Sequence, residues 1–312
     1  VRRPVGDWLI GKLRYFVDSL SSYFVEDPLA RRLREDEGFK VELDELAVKA
    51  GYKNGLVDVV GRDFKKVYIL ARMMTYVLMN KIIFYKVLER YYPLPELNPI
   101  LDYEPEITTK DYIDRLNSLF DKAIEITGDF EPIFITGLFD HIVLSEEKAA
   151  LFEIDELIRI LSIIEIERFG DIIGYVYEEL IPAEERHQMG QFYTPPPIAE
   201  LIVRWCVKNP SDRVLDPGCG SGTFLVEAYW RLKELKTGNK KRIPPSRDIH
   251  VSILRQLYAI DINPFPTQLT SMNLAMKNVR APTTEANIQT SDFFALSPPD
   301  EKELEREGFD AI

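Results

Sequence analysis

From Asp7 to about Ile181 the apolar residues recur at intervals of three and four, as in Leu151, Ile154, Leu157, Ile158 and Leu161. That spacing keeps one face of a helix apolar, and the two-residue alternation of a strand is scarce, so the pattern predicts a mostly helical region. Turn chemistry interrupts it at Pro28, between Gly51 and Gly61, from Pro93 to Pro105 and from Thr127 to Pro132. Ser145, followed by Glu146 and Glu147, reads as a helix N-cap with acids in the first turn. The most apolar run, Val67 to Leu88, is interrupted by Arg72, Lys81 and Lys86, which predicts a buried or amphipathic helix and no membrane span.

After Arg186 the pattern changes. Thr194 is placed to cap a helix whose first turn holds Pro195, Pro196 and Pro197, with Ile198, Leu201, Ile202 and Trp205 along one face until Asn209-Pro210 stops it. A strand is expected from Arg213 to Asp216, a helix from Phe224 to Lys236, a strand from Gln256 to Ile262 and a helix from Phe265 to Val279. Ile288 to Phe294 and Phe309 to Ile312 are strand-like again. Such alternation predicts an α/β fold, a doubly wound parallel sheet covered on both faces with a ligand crevice at the carboxyl ends of its strands. The expected organisation is a helical N-terminal domain over residues 1–180 and the first half of the α/β sheet over residues 181–312.

Composition narrows the class. The chain has 312 residues, of which 46% are hydrophobic and 29% charged, which fits a packed globular protein and excludes a largely disordered one. Two cysteines, Cys206 and Cys219, are too few for a disulfide framework or a zinc cluster, and a reducing, cytoplasmic location is expected. The opening Val-Arg-Arg-Pro has none of the apolar core of a secretory signal. A net charge of -12 excludes a chain that is basic all over, so any nucleic-acid partner must meet a local patch. One exists: residues 231–255 carry eight basic side chains against two acidic ones, a net charge of +6. Lys240, Lys241, Arg242 and Arg247 within it are candidates for phosphate contacts, with a solvated loop as the alternative.

The chemistry concentrates at strand ends. The first strand runs into Asp216-Pro217-Gly218-Cys219-Gly220-Ser221-Gly222-Thr223 and then a helix, the place where a doubly wound sheet meets a nucleotide-like ligand. Glycines at alternate positions let backbone amides approach a ligand without Cβ interference. The spacing differs from the dinucleotide fingerprint, and no Gly-Lys-Ser/Thr is present to cradle phosphates, so nicotinamide cofactors and ATP lose ground. Asp261, at the end of the second strand, can accept from both hydroxyls of a ribose. Asp292 can take an adenine amino group while Phe293 packs on the ring. Singly each acid is more often a loop or capping residue; three strand ends in series point to a nucleoside.

These residues together resemble the amino-methylating DNA methyltransferases of restriction-modification systems. Gly190-Gln191-Phe192-Tyr193-Thr194-Pro195 looks like their motif X, upstream of motif I as in the gamma-type order that includes type I modification subunits. Val214 to Phe224 looks like motif I, the Asp261 strand end like motif II, and Ser291-Asp292-Phe293-Phe294 like motif III, so the resemblance covers about residues 171–312. It implies a Rossmann-like methyltransferase sheet and S-adenosyl-L-methionine as methyl donor, with no metal. By position, Phe192, Tyr193 and Thr194 would hold the methionine portion together with Asp216, Pro217, Gly218, Cys219, Gly220, Ser221, Gly222 and Thr223. Asp261 and the adjoining Ile262 would hold the ribose, and Asp292 and Phe293 the adenine.

In that family an Asn or Asp followed by Pro-Pro-aromatic receives the flipped base. It belongs just after the fourth strand, and Phe309-Asp310-Ala311-Ile312 is only the start of that strand, so no catalytic residue is assigned and the chain alone is expected to transfer no methyl group. Ser297-Pro298-Pro299-Asp300 lacks the aromatic and is read as a loop. The leading expectation is the N-terminal portion of an adenine-N6 DNA methyltransferase, with cytosine-N4 a close variant. Its partners would be DNA and a specificity or nuclease subunit or domain, with no membrane. The alternatives are a non-catalytic cofactor-binding or assembly subunit, and a methyltransferase acting on RNA or a protein amide. His141, His187 and His250 receive no chemical role.

Overall fold

The computed structural model describes residues 5–164, 194–262, 264–281, 286–295 and 308–312. It divides into two compact units, Val1–Phe169 and Gly170–Ile312.

The first unit is helical, as the three-and-four spacing predicts. Its centre is the helix Val67–Leu88, buried along nearly its whole length. Length and apolar composition alone would let this helix cross a membrane, yet 83% of its most apolar 18-residue window is buried within the protein. The lysines that interrupt the apolar run are internal: Lys81 Nζ lies 2.5 Å from Asp140, and Lys86 pairs with Glu89 while donating to the Leu97 carbonyl at 3.2 Å. A buried charge is tolerated only when so paired. The helices Val5–Ser19 and Lys148–Ile163 pack against this centre and against each other. Asp155 ties the irregular Pro93–Pro105 segment to the second of these, accepting from the amides of Ile100 and Leu101 at 2.9 Å and from the Tyr112 hydroxyl at 2.6 Å.

One helix start differs from expectation. Lys148–Ile163 begins after Glu147, and Ser145 stands outside it with its amide bonded to the Phe24 carbonyl at 2.7 Å. Held there, Ser145 cannot reach the first-turn amides, and Glu146 and Glu147 precede the helix.

The second unit is built on three parallel strands, β1 (Val214–Asp216), β2 (Leu257–Asp261) and β3 (Asn287–Thr290), hydrogen-bonded in that order. On the free side of β1, Ala311 forms a parallel bridge to Val214, and the Leu215 amide donates to the Ala311 carbonyl at 2.9 Å. The strand order therefore reverses at β1, the point where ligand crevices open in sheets of this kind. Register aligns Asp216 with Ala259 and Asp261 with Thr290. Because side chains alternate, Asp216, Asp261 and Thr290 fall on one face, the face that packs Val214, Leu257 and Ala259 against the helix Thr223–Thr237. That helix and the crossover helix Pro264–Ala275 touch each other and share this side of the sheet. On the opposite face Leu215 and Ile260 are buried, whereas Asn287 and Gln289 of the edge strand are exposed.

Four details correct the sequence reading. β3 stops at Thr290, and Phe293–Ala295 is a short helical turn, so Asp292 follows the strand instead of ending it. The helix Pro196–Cys206 takes Pro195 as its N-cap, whose carbonyl accepts from Ile198 and Ala199, leaving Thr194 one residue outside. Its apolar row does line one face, but an outward one: Leu201 and Trp205 are 66% and 78% exposed, while the small Ala199 and Val203 make the close approach to Thr223–Thr237. The stretch that sets Asp261 43 residues after Gly218 holds a helix, Arg247–Leu254, that periodicity does not mark.

Candidate functional site

The glycine loop leaves β1 at Asp216 and enters the helix Thr223–Thr237 through Gly222. Gly222 has φ +84, and a Cβ there would lie 2.9 Å from Thr270 Oγ1 and 3.3 Å from the Thr270 Cα, so this position requires glycine. Gly220 also has positive φ. Its amide donates to Asp261 Oδ2 at 3.1 Å, while the Cys219 amide donates to the Ile260 carbonyl at 2.9 Å. The loop is thus fastened to the carboxyl end of β2. The Asp261 carbonyl in turn accepts from the Ser291 amide at 2.9 Å, which draws the segment after β3 to the same edge.

The expected residues therefore converge in part. Asp216, Pro217, Gly218, Cys219, Gly220, Ser221, Gly222, Thr223 and Asp261 lie together at the ends of β1 and β2. Ile262 follows Asp261 and is 60% exposed, and Asp292 and Phe293 follow the Ser291 contact, both half-buried. Asp292 Oδ1 accepts from the Phe294 amide at 3.0 Å, a local turn that shapes this end. Thr194 is half-buried; Phe192 and Tyr193 lie outside the described residues, as do His187 and Ser297 to Asp300.

The electrostatics of the edge are those of two carboxylates held close. Burial raises the Asp216 pKa to about 6; the Gly218 amide at 3.3 Å opposes that shift, and the charge of Asp261 adds to it. Burial likewise pushes the Cys219 thiol well above its usual range, so it stays protonated and unreactive at neutral pH. No group of three His, Cys, Asp or Glu side chains suited to a metal occurs among the described residues. His250 is a core residue, bonded through Nδ1 to the Tyr229 hydroxyl at 2.7 Å, with burial lowering its pKa to about 4.

The basic stretch divides. Arg242 is engaged internally, with Nη1 2.9 Å and Nη2 2.5 Å from the carboxylate of buried Glu227 and a longer contact of 3.5 Å to Glu200. Arg242 is nonetheless exposed, as are Lys240, Lys241 and Arg247.

A set of side chains unforeseen in the sequence lies on the helix Pro264–Ala275, where Thr267, Thr270 and Asn273 form a buried polar row. Thr267 bonds Thr290 across the end of β3 at 2.8 Å, and Thr270 and Asn273 bond the glycine loop. The readable signal is the spacing of three, which repeats Thr267, Thr270 and Asn273 on one face of the helix.

A parallel sheet whose glycine loop and strand-end carboxylate are bonded together at the point of strand reversal has the arrangement of an α/β unit with its ligand crevice at the carboxyl ends of the strands. Residues 168–312 match the family model described as N-6 DNA Methylase. A type I restriction enzyme MjaVII methylase subunit from Methanocaldococcus jannaschii is 31% identical over 151 residues, covering 47% of this chain and 25% of the relative. The MjaIX methylase subunit of the same organism is 26% identical over 206 residues, covering 64% and 30%. The chain thus spans a quarter to a third of the length of these relatives. Among solved structures, the ATP-dependent Type ISP restriction-modification enzyme LlaBIII bound to DNA is 16% identical with a TM-score of 0.48, covering 98% of this chain and 19% of that one.

Proposed function

We propose that the second unit is the cofactor half of a Rossmann-like methyltransferase sheet, that its crevice binds S-adenosyl-L-methionine, and that the protein it represents methylates adenine N6 in DNA within a restriction-modification system. The observation that carries this reading is the bond from the Gly220 amide to Asp261, which sets a glycine loop and a ribose-type carboxylate side by side. The donor set suits the cofactor. S-adenosylmethionine carries a sulfonium and an ammonium, and two neighbouring carboxylates with no phosphate-binding lysine in the loop favour a cation over a nucleotide phosphate.

In this reading Asp216 faces the ammonium of the methionine portion, the Gly218–Gly222 loop lies along its backbone, Asp261 accepts from the ribose hydroxyls beside Ile262, and Asp292 and Phe293 hold the adenine. Phe192, Tyr193 and Thr194 are assigned to the methionine portion. The cofactor, once bound, would supply an electrophilic methyl group; the chain's own residues bind it, orient it and exclude water, which is where positioning catalysis begins. Lys240, Lys241 and Arg247 offer exposed charge to DNA phosphates, with Arg242 holding their loop in shape. A specificity or nuclease subunit or domain and a cytoplasmic setting complete the proposal. No Asn or Asp followed by Pro-Pro-aromatic occurs in these residues, an observation that favours binding without transfer by the 312-residue chain.

The test is calorimetric titration with S-adenosylmethionine between pH 5 and 7. With its pKa raised to about 6, Asp216 takes up a proton as the pH falls through 6, and a cationic ligand must then displace it. Affinity is expected to drop about tenfold from pH 7 to pH 5 and to lose this dependence in Asp216→Asn. An affinity that rises toward acid, or a profile unchanged in Asp216→Asn, would exclude Asp216 as the ammonium's partner. Binding of NAD or ATP in preference would overturn the cofactor assignment.

A further inference from the structure

On the reading that the crevice binds S-adenosylmethionine, we propose that Thr270 and Asn273 of the helix Pro264–Ala275 are positioning residues that set the conformation of the cofactor loop by holding its carbonyl oxygens. Thr270 is fully buried and Asn273 is 2% exposed, among apolar neighbours on the helix such as Leu269, Met272 and Leu274. Packing alone favours apolar residues at such positions, because a buried hydroxyl or amide is costly unless hydrogen-bonded. Both bonds go to the loop. Thr270 Oγ1 donates to the Gly220 carbonyl at 3.0 Å, and Asn273 Nδ2 donates to the Ser221 carbonyl at 2.7 Å. Asn273 Oδ1, buried, finds no donor among the described residues. An apolar side chain would remove that unsatisfied oxygen, so the amide at 273 is explained by its bond to the loop and not by the core.

The consequence for the loop follows from peptide planarity. Gly220 is held at both ends, its N–H by Asp261 and its C=O by Thr270. In a trans peptide the N–H points opposite to the C=O, so fixing the Gly220 carbonyl on the helix turns the Ser221 N–H to the other side of the loop. Likewise Asn273 fixes the carbonyl of Ser221 while the Gly222 N–H of the same peptide donates to the Cys219 carbonyl at 2.8 Å. Two successive peptides of the glycine loop are thereby held before any ligand arrives. Pre-organisation of this kind raises affinity by removing the entropy lost on ordering.

The experiment is calorimetric titration of the full chain with S-adenosylmethionine, paired with thermal unfolding, for the wild type, Thr270→Val and Thr270→Ser. Valine keeps the volume and loses the hydroxyl; serine keeps the hydroxyl and loses a methyl. The positioning role predicts about tenfold weaker binding in Thr270→Val and binding within about threefold of wild type in Thr270→Ser, the rescue that a packing role would not produce. Wild-type affinity in a folded Thr270→Val, or weaker binding in the serine variant than in the valine one, would overturn the inference while leaving the cofactor reading intact. A wild type that does not bind would instead overturn the cofactor reading and this inference with it. Asn273→Leu keeps the test decisive if the valine variant does not fold. It removes the donor and the unsatisfied oxygen together, and is expected to unfold near the wild-type temperature with about fivefold weaker binding; unchanged binding would overturn the inference.

Discussion

Asp261→Ala is expected to weaken binding of S-adenosylmethionine by about a hundredfold or more. A carboxylate accepting from two ribose hydroxyls makes charge-assisted bonds worth about 1.5 to 3 kcal/mol each, and two such bonds exceed the ~2.7 kcal/mol that a hundredfold represents. The substitution also removes the acceptor of the Gly220 amide at 3.1 Å, so the loop loses its fastening to β2. Asp261→Asn retains an acceptor oxygen and is expected to fall between alanine and wild type. Because the Asp261 charge helps to raise the Asp216 pKa, the alanine variant should also show its pH dependence at lower pH. Calorimetry across pH reads both effects. A loss smaller than about threefold would remove Asp261 from the ribose.

The second large effect is expected at Gly222. At φ +84 an alanine is held in the left-handed region, a cost of about 1 to 2 kcal/mol. Its Cβ would also press on Thr270, 2.9 Å from Oγ1 and 3.3 Å from the backbone Cα, and overpacking of this kind adds about 1 to 3 kcal/mol. Gly222→Ala is therefore expected to destabilise the second unit by about 2 to 5 kcal/mol in urea unfolding and to abolish measurable cofactor binding. Gly218→Ala is the control: nothing lies within 4 Å of its Cβ and its φ lies outside the left-handed range, so stability should change by less than about 1 kcal/mol. Equal effects at the two positions would show that the contact with Thr270 does not define the loop.

What could be read from the chain was whatever local pattern determines. The helical first unit follows from three-and-four spacing, and β1 and β2 from short apolar runs ending at an acid, because each is decided within a few residues. The core of the candidate site is legible for the same reason: the Asp216–Thr223 loop is contiguous, and Asp261 ends a strand. What escaped depends on contacts distant in sequence. Ser145 has the chemistry of a cap, but the Phe24 carbonyl holds it elsewhere. Ile198, Leu201, Ile202 and Trp205 mark the apolar face of their helix correctly, yet Ala199 and Val203 form its packed face, because small residues admit the closer approach. The helix Arg247–Leu254 buries only His250, Ile253 and Leu254, too few positions for a period to stand out. Arg242 looks like its basic neighbours until Glu227, 15 residues earlier, is brought beneath it. Thr270 and Asn273 bond residues about 50 positions away, a relation no local window contains.

The central claim is that the glycine loop and the carboxyl end of β2 together bind S-adenosylmethionine, and the most direct measurement is a crystal structure of the chain with S-adenosylhomocysteine. The account predicts the ribose hydroxyls within hydrogen-bonding distance of the Asp261 carboxylate and the amino-acid end against Asp216 and the Gly218–Gly222 loop. The ligand bound elsewhere, or a crevice that stays empty at saturating ligand, would contradict it.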